Sequence, residues 1–210
     1  MNKRIEARRQ KIMDAALEVF REEGFERASI DKIVARSGGS KATLYKLFNN
    51  KEGLFFAILR RAAERIGERE HSLLRPVSVE ALREVLIGIG HGLVDNVLNE
   101  DIISLYQLAV EATRHNPDLA RLYFEGGPKK ARDDFALFLD DLRKAGLLQF
   151  EDSDLAARCF FGMILDRHHL AMSLGMAGTI GEAEADRLIN EAVDVFLAAY
   201  GRTGEQARAL

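Results

Sequence analysis

Apolar positions recur every three or four residues along almost the whole chain, without the strict alternation a half-buried strand needs, so the pattern predicts helices throughout. The first is expected over about residues 4–23, with Ile12, Ala16, Val19 and Phe20 on one side, Met13 and Leu17 beside them, and Gly24 as its stop. Two short patterns follow. Ile30, Ile33 and Val34 form one stripe, Leu44, Leu47 and Phe48 the other, and Ser37, Gly38 and Gly39 break the chain between them. Ser29 and Ser40 stand where a hydroxyl caps a helix by accepting from an orphan amide one turn on. A longer helix opens at KEGLFFAILRRAAERI, capped by Asn49 or Asn50, with Leu54, Phe55, Ile58, Ala62 and Ile66 on its apolar face. Helical periodicity resumes at Ser78 and again after Asn99. A long pattern from Pro117 to Gly146 is interrupted at Gly126, Gly127 and Pro128, and two more helices start at Ser153 or Asp154 and at Glu182. The tail from Arg202 reads as polar and frayed.

The fold class is therefore all-α. The pair of short helices around Gly38 and Gly39 has the shape of a helix-turn-helix, whose second member turns Lys41, Ala42, Thr43, Tyr45 and Lys46 outward as a small, basic, hydroxyl-bearing face suited to a major groove. Pro76 marks a junction, which gives an N-terminal domain over 1–74 and a helical body over 75–210.

Charge sharpens this division. Residues 1–51 hold twelve Lys and Arg against seven Asp and Glu, a net of +5, while the remainder carries −8. A basic end on an acidic body is the footprint of a protein that offers one end to phosphate, and Lys3, Arg4, Arg8 and Arg9 are candidates to meet phosphates flanking the groove. With 210 residues, 47% hydrophobic and 30% charged, the chain is globular, and it has no apolar run of the ~20 residues a membrane span requires. No membrane partner is expected. The basic N-terminus lacks the apolar segment of a signal peptide, and the single cysteine, Cys159, fits a reducing cytoplasm and reads as a buried, inert thiol.

Ser40, Lys41, Ala42, Thr43, Leu44 and Tyr45, then Phe48, Lys51 and Glu52, with Gly24 and Phe25 upstream, resemble the DNA-binding signature of the TetR/AcrR family of bacterial transcriptional regulators. The resemblance implies an N-terminal helix-turn-helix domain joined by a connector helix to a ligand-binding and dimerisation body. It implies a repressor that binds a palindromic double-stranded DNA operator as a homodimer and is released by a small molecule. Lys41, Ala42, Thr43 and Lys46 are then expected at base edges or flanking phosphates, and Ser29, Ser40, Tyr45 and Lys51 at phosphate. Gly39 departs from the family, in which a β-branched residue commonly precedes the recognition helix. Asn49 and Asn50 make the next loop less basic than usual.

The last two helices carry broad apolar stripes: Leu155, Cys159, Phe160, Met163 and Ile164 on one, and Leu188, Ala192, Val193, Phe196, Leu197 and Tyr200 on the other. Periodicity alone leaves core and interface open, whereas the resemblance implies a seam with a second copy. It also implies a pocket for a small apolar or aromatic ligand among the central helices, with Ile89, His91 and Tyr106, then Tyr123, Phe124 and Phe138, then Met163 and His168 as candidates beside Val94, Phe135 and Phe161. No cofactor, metal or catalytic group is expected. His168 and His169 diverge by roughly 100° on a helix, Asp166 with His169 and His91 with Asp95 lack a metal-site spacing, and GIGHG over 88–92 lacks the strand that a phosphate loop follows. Alternatives are a helical ligand carrier or small enzyme whose helix-turn-helix is structural, and an activator of the same family.

Overall fold

The computed structural model describes residues 3–70, 78–112 and 117–202, and among them helix dominates and no strand forms. The order is α1 (Lys3–Arg27), α2 (Ile30–Ser37), α3 (Lys41–Phe48), α4 (Lys51–Glu70), α5 (Val79–Val97), α6 (Glu100–Ala112), α7 (Pro117–Phe124), a π-helical turn (Glu125–Lys129), α8 (Lys130–Lys144), α9 (Ser153–Ser173) and α10 (Glu182–Tyr200). The junction at Pro76, the break at Asn116 and the tail from 203 fall outside the described residues, as do the side chains of Ala62 and Ile66. Two compact units result, Met1–Glu64 with Ser104–Gly127, and Arg65–Ile103 with Pro128–Leu210.

The first unit is built on three phenylalanines. Phe20, Phe25 and Phe55 meet with ring centroids 5.2–5.8 Å apart and are all but fully buried, and each contributes about 1.5–3 kcal/mol by leaving water. Phe25 reaches this cluster because α1 breaks at Gly24, whose φ of 76° and ψ of 161° are not helical, before a last turn to Arg27. Ile12 and Ala16 of α1, Ile33 of α2, Leu44 of α3 and Leu54 and Ile58 of α4 complete the core. Asn50 caps α4, its Oδ1 accepting from the Gly53 amide at 2.7 Å, while Asn49 takes a φ of 69° just past the end of α3.

In the second unit α5, α8, α9 and α10 pack around Leu82, Leu86, Leu139, Phe160, Ile164, Ile189, Val193 and Phe196. Gly90 explains the GIGHG run: a Cβ there would stand 2.5 Å from Ile189 Cγ2 and 3.4 Å from Ile164 Cδ1, so glycine lets α5 close on α9 and α10. The interruption at Gly126, Gly127 and Pro128 is the π-helical turn, where the proline has no amide to donate. Two expectations are corrected. Asp152, rather than Ser153 or Asp154, caps α9, its carboxylate accepting from the amides of Asp154 (2.9 Å) and Leu155 (3.1 Å). Cys159 is exposed, because Phe160 and Ile164 take the inward positions of α9 and leave the thiol on the outer side.

Candidate nucleic-acid interface

The helix-turn-helix rests on two hydroxyl caps. The Lys32 amide donates to Ser29 Oγ at 3.3 Å, and the Thr43 amide donates to Ser40 Oγ at 3.2 Å, with Thr43 Oγ1 3.1 Å from the same oxygen. Between the caps, Gly38 (φ 70°) and Gly39 (φ 101°) carry the chain through the left-handed region that β-carbons resist. Burying Leu44 and Phe48 fixes the rotation of α3, so Lys41, Ala42, Tyr45 and Lys46 emerge exposed and Thr43 half-exposed. Tyr45 keeps 47% of its surface open, an aromatic with a hydroxyl tip standing away from the core.

Two sets of cations in this unit bear on that face. On the outer face, Lys41 pairs with Asp31 of α2 at 2.6 Å, and that hydrogen bond and charge raise its pKa. Arg36 makes a two-pronged pair with Glu22 at 2.8 Å for each nitrogen, raising the arginine and lowering the glutamate, and Lys32 pairs with Glu23 at 2.6 Å. All are exposed pairs that phosphate can outcompete, since surface ion pairs hold weakly.

The second set points inward, at helix ends. Arg8 Nη1 donates to the Ser37 carbonyl at 2.9 Å, at the end of α2. Arg9 Nη1 donates to the Leu47 carbonyl at 3.1 Å, at the end of α3, with its guanidinium 4.8 Å over the Phe48 ring. Lys51 Nζ donates to the carbonyls of Phe25 (2.7 Å), Glu26 (3.0 Å) and Ala28 (3.4 Å) and lies 4.6 Å over the Phe25 ring. Each cation meets the negative end of a helix and its orphan carbonyls. The inward role of Arg8 and Arg9 escaped the sequence reading, although a signal existed. They lie four residues before Ile12 and Met13, on the core-facing stripe of α1. At the C-terminal end of α3, Tyr45, Lys46, Phe56 and Arg60 border an open cleft of about 490 Å³.

The expected pocket residues are divided between the units. In the first, the Tyr106 and Tyr123 rings stand 6.1 Å apart, burial pushes the Tyr123 phenol up to about 12, and Phe124 is 48% exposed. In the second, Ile89 lies in the core, Phe138 stacks on Phe135 at 6.1 Å, and Met163 packs half-buried against the same core. His91 faces Asp186 and His168 faces Glu184, each at 3.4 Å, so α10 offers one carboxylate to α5 and another to α9. Burial lowers the pKa of His169.

Comparison with known proteins bears on this geometry. The family model of the tetR family of bacterial regulatory proteins matches residues 12–58, and that of the AefR-like transcriptional repressor C-terminal domain matches residues 84–202. The HTH-type transcriptional regulator YezE of Bacillus subtilis is 30% identical over 190 residues, covering 89% of this chain and 92% of its own. A TetR-family transcriptional regulator from Mesorhizobium loti has a similar structure, with a TM-score of 0.82 at 26% identity over 96% of this chain and 100% of that one. The flavonoid-responsive regulator FrrA gives 0.74 at 27% identity over 95% and 100%. The capped helix pair with its exposed basic α3 and the two family models, which together take in most of the chain, lead to one conclusion: the chain belongs to the tetR family of bacterial regulatory proteins and is a DNA-binding transcriptional regulator, not an enzyme.

Proposed function

We propose that the chain is a cytoplasmic repressor that binds a palindromic operator as a homodimer and leaves it when a small apolar or aromatic ligand binds the body. The observation that carries this reading is the outward face of α3, where Lys41, Ala42, Tyr45 and Lys46 are exposed on a capped helix held by its own core. Lys41, Ala42, Thr43 and Lys46 read base edges or touch flanking phosphates, and Ser29, Ser40 and Tyr45 grip the backbone. The cleft beside Lys46 and Arg60 suits a further phosphate. Lys51 would have to give up the carbonyls it already serves to reach phosphate, so its part is to end α1 rather than to grip the backbone.

A dimer is supported by what α9 and α10 leave uncovered. Phe160, Ile164, Val193 and Phe196 are taken by the chain's own core, yet Leu155, Leu170 and Val195 remain 45%, 58% and 58% exposed. A second copy covering them sets two α3 helices about one DNA turn apart, ~34–36 Å or a multiple. Ligand release is supported by the response named for FrrA and by the aromatic residues of the body. Residues 1–74 act as the head and 75–210 as the body, with α4 as connector, and ligand shifts the population toward a head spacing the operator does not fit. Selecting bound duplexes from random DNA tests the reading. It should return a two-fold symmetric sequence, and enrichment of no sequence at all would refute it.

A further inference from the structure

The turn between α2 and α3 is shaped around an arginine from another helix. A Cβ on Gly39 would lie 2.2 Å from Arg8 Nη2 and 2.9 Å from its Cζ. The guanidinium therefore occupies the space that any other residue's side chain would enter. Arg8 Nη1 donates to the Ser37 carbonyl at 2.9 Å, one residue before the turn. Nη2 is buried, without a hydrogen-bond partner among the described residues, packed against the Gly39 backbone. Arg9 grips the far end of α3 through the Leu47 carbonyl. Two consecutive arginines of α1 thus hold the end of α2 and the end of α3, and the flat guanidinium of the first sets how closely the turn can fold back.

We infer that Arg8 is a positioning residue for DNA recognition: seated on Gly39, it sets the angle between α2 and α3 at which the outward face of α3 meets the groove, and it does so without touching DNA. Burial of Nη2 argues against a phosphate role, since a group out of solvent contact cannot meet an oxygen without first leaving its seat. Glycine at 39 leaves room for that guanidinium, and its φ of 101° is one that a β-carbon resists in any case. The inference rests on the DNA-binding reading and adds a residue to it.

The test uses the full chain, the operator recovered by selection, and a shuffled duplex of the same length and composition, each titrated at several salt concentrations below the melting temperature. Arg8→Ala and Arg8→Lys should both lose about tenfold or more on the operator. Both should stay within about twofold of the parent on the shuffled duplex, with an unchanged slope of log affinity against log salt. Gly39→Ala should push the guanidinium out and lose at least as much as Arg8→Ala, since its φ of 101° adds backbone strain, and the double variant should lose less than the two losses combined. Gly38→Ala is the control: its φ is also positive, but a Cβ there meets nothing within 4 Å, so its loss should add fully to that of Arg8→Ala.

Three results would overturn the inference. Arg8→Ala could bind the operator as the parent does. The salt slope could fall by about one while Arg8→Lys stays near the parent, which marks a phosphate contact. Or affinity for both duplexes could fall together, which marks a folding defect. A parent chain that binds neither duplex would refute DNA binding itself, and this inference with it.

Discussion

Replacing Lys51 by methionine keeps most of the aliphatic stem and removes one charge with three donors. The ammonium holds the carbonyls of Phe25, Glu26 and Ala28 at 2.7, 3.0 and 3.4 Å and stands 4.6 Å above the Phe25 ring. A hydrogen bond from a charged group contributes about 1.5–3 kcal/mol net. The three bonds share one ammonium, however, the longest is weak, and the Glu26 carbonyl is exposed enough to be taken over by water. Ordering a long lysine also costs about 1–2 kcal/mol of rotamer entropy. The net loss should therefore be about 2 kcal/mol, confined to the first of the two units. Hydrogen exchange reads this directly: the amides of Ala28, Ile33 and Leu44 should exchange about 30-fold faster, and those of α9 and α10 at the parent rate. Operator binding measured well below melting should keep its salt slope. Unchanged exchange at those three amides, with a slope reduced by about one, would refute the reasoning and make Lys51 a phosphate ligand.

Other expectations follow from the same geometry. Lys41→Ala and Tyr45→Ala should each weaken operator binding by about tenfold, from the ~1–3 kcal/mol typical of a good contact, and leave the sedimenting species unchanged. Asp31→Asn should tighten binding several-fold, because it removes an acid from the DNA-facing side and frees Lys41. Val195→Asp should shift the chain toward monomer in sedimentation and lower operator affinity without melting the helices, and an unchanged mass would refute the α9–α10 seam. For His169, burial lowers the folded-state pKa below its ordinary 6.5. The unfolded chain then binds the extra proton, so stability is full above about 6.5 and is lost as pH falls from there toward the folded-state value. His169→Gln should flatten urea stability across that window.

Local rules carried the sequence reading a long way. Ser29 and Ser40 cap where an N-cap hydroxyl belongs, Gly24 breaks α1, and Leu44 and Phe48 turn inward, because each depends on neighbours within one helical turn. Long-range packing was less legible. Arg8 and Arg9 read as phosphate ligands because a charge is normally solvated, but one nitrogen of each is held by a carbonyl, of Ser37 and of Leu47, about thirty and forty residues on. Cys159 read as buried because Ala157, Phe160 and Phe161 stand near it in sequence, but adjacent helical residues point about 100° apart, and Phe160 holds the inward position. Asp152 is the cap because it is the extended residue just before the helix, where its Oδ1 reaches the amides two and three residues on. His91 was weighed against Asp95 of its own helix, whereas the carboxylate it faces, Asp186, comes from α10.

The mutual capping of the head bears on how ordering is divided between folding and binding. Helices as short as α2 and α3, eight residues each, are marginal alone in water. Here α1 terminates both of them, and α4 in turn terminates α1. Each of these ends is completed by a residue of another helix, so the elements of the recognition surface support one another. DNA then meets a face whose backbone entropy was already lost in folding. What remains to be ordered on contact is chiefly the exposed ends of Lys41, Tyr45 and Lys46, so the complex should form with little conformational entropy left to lose at the backbone.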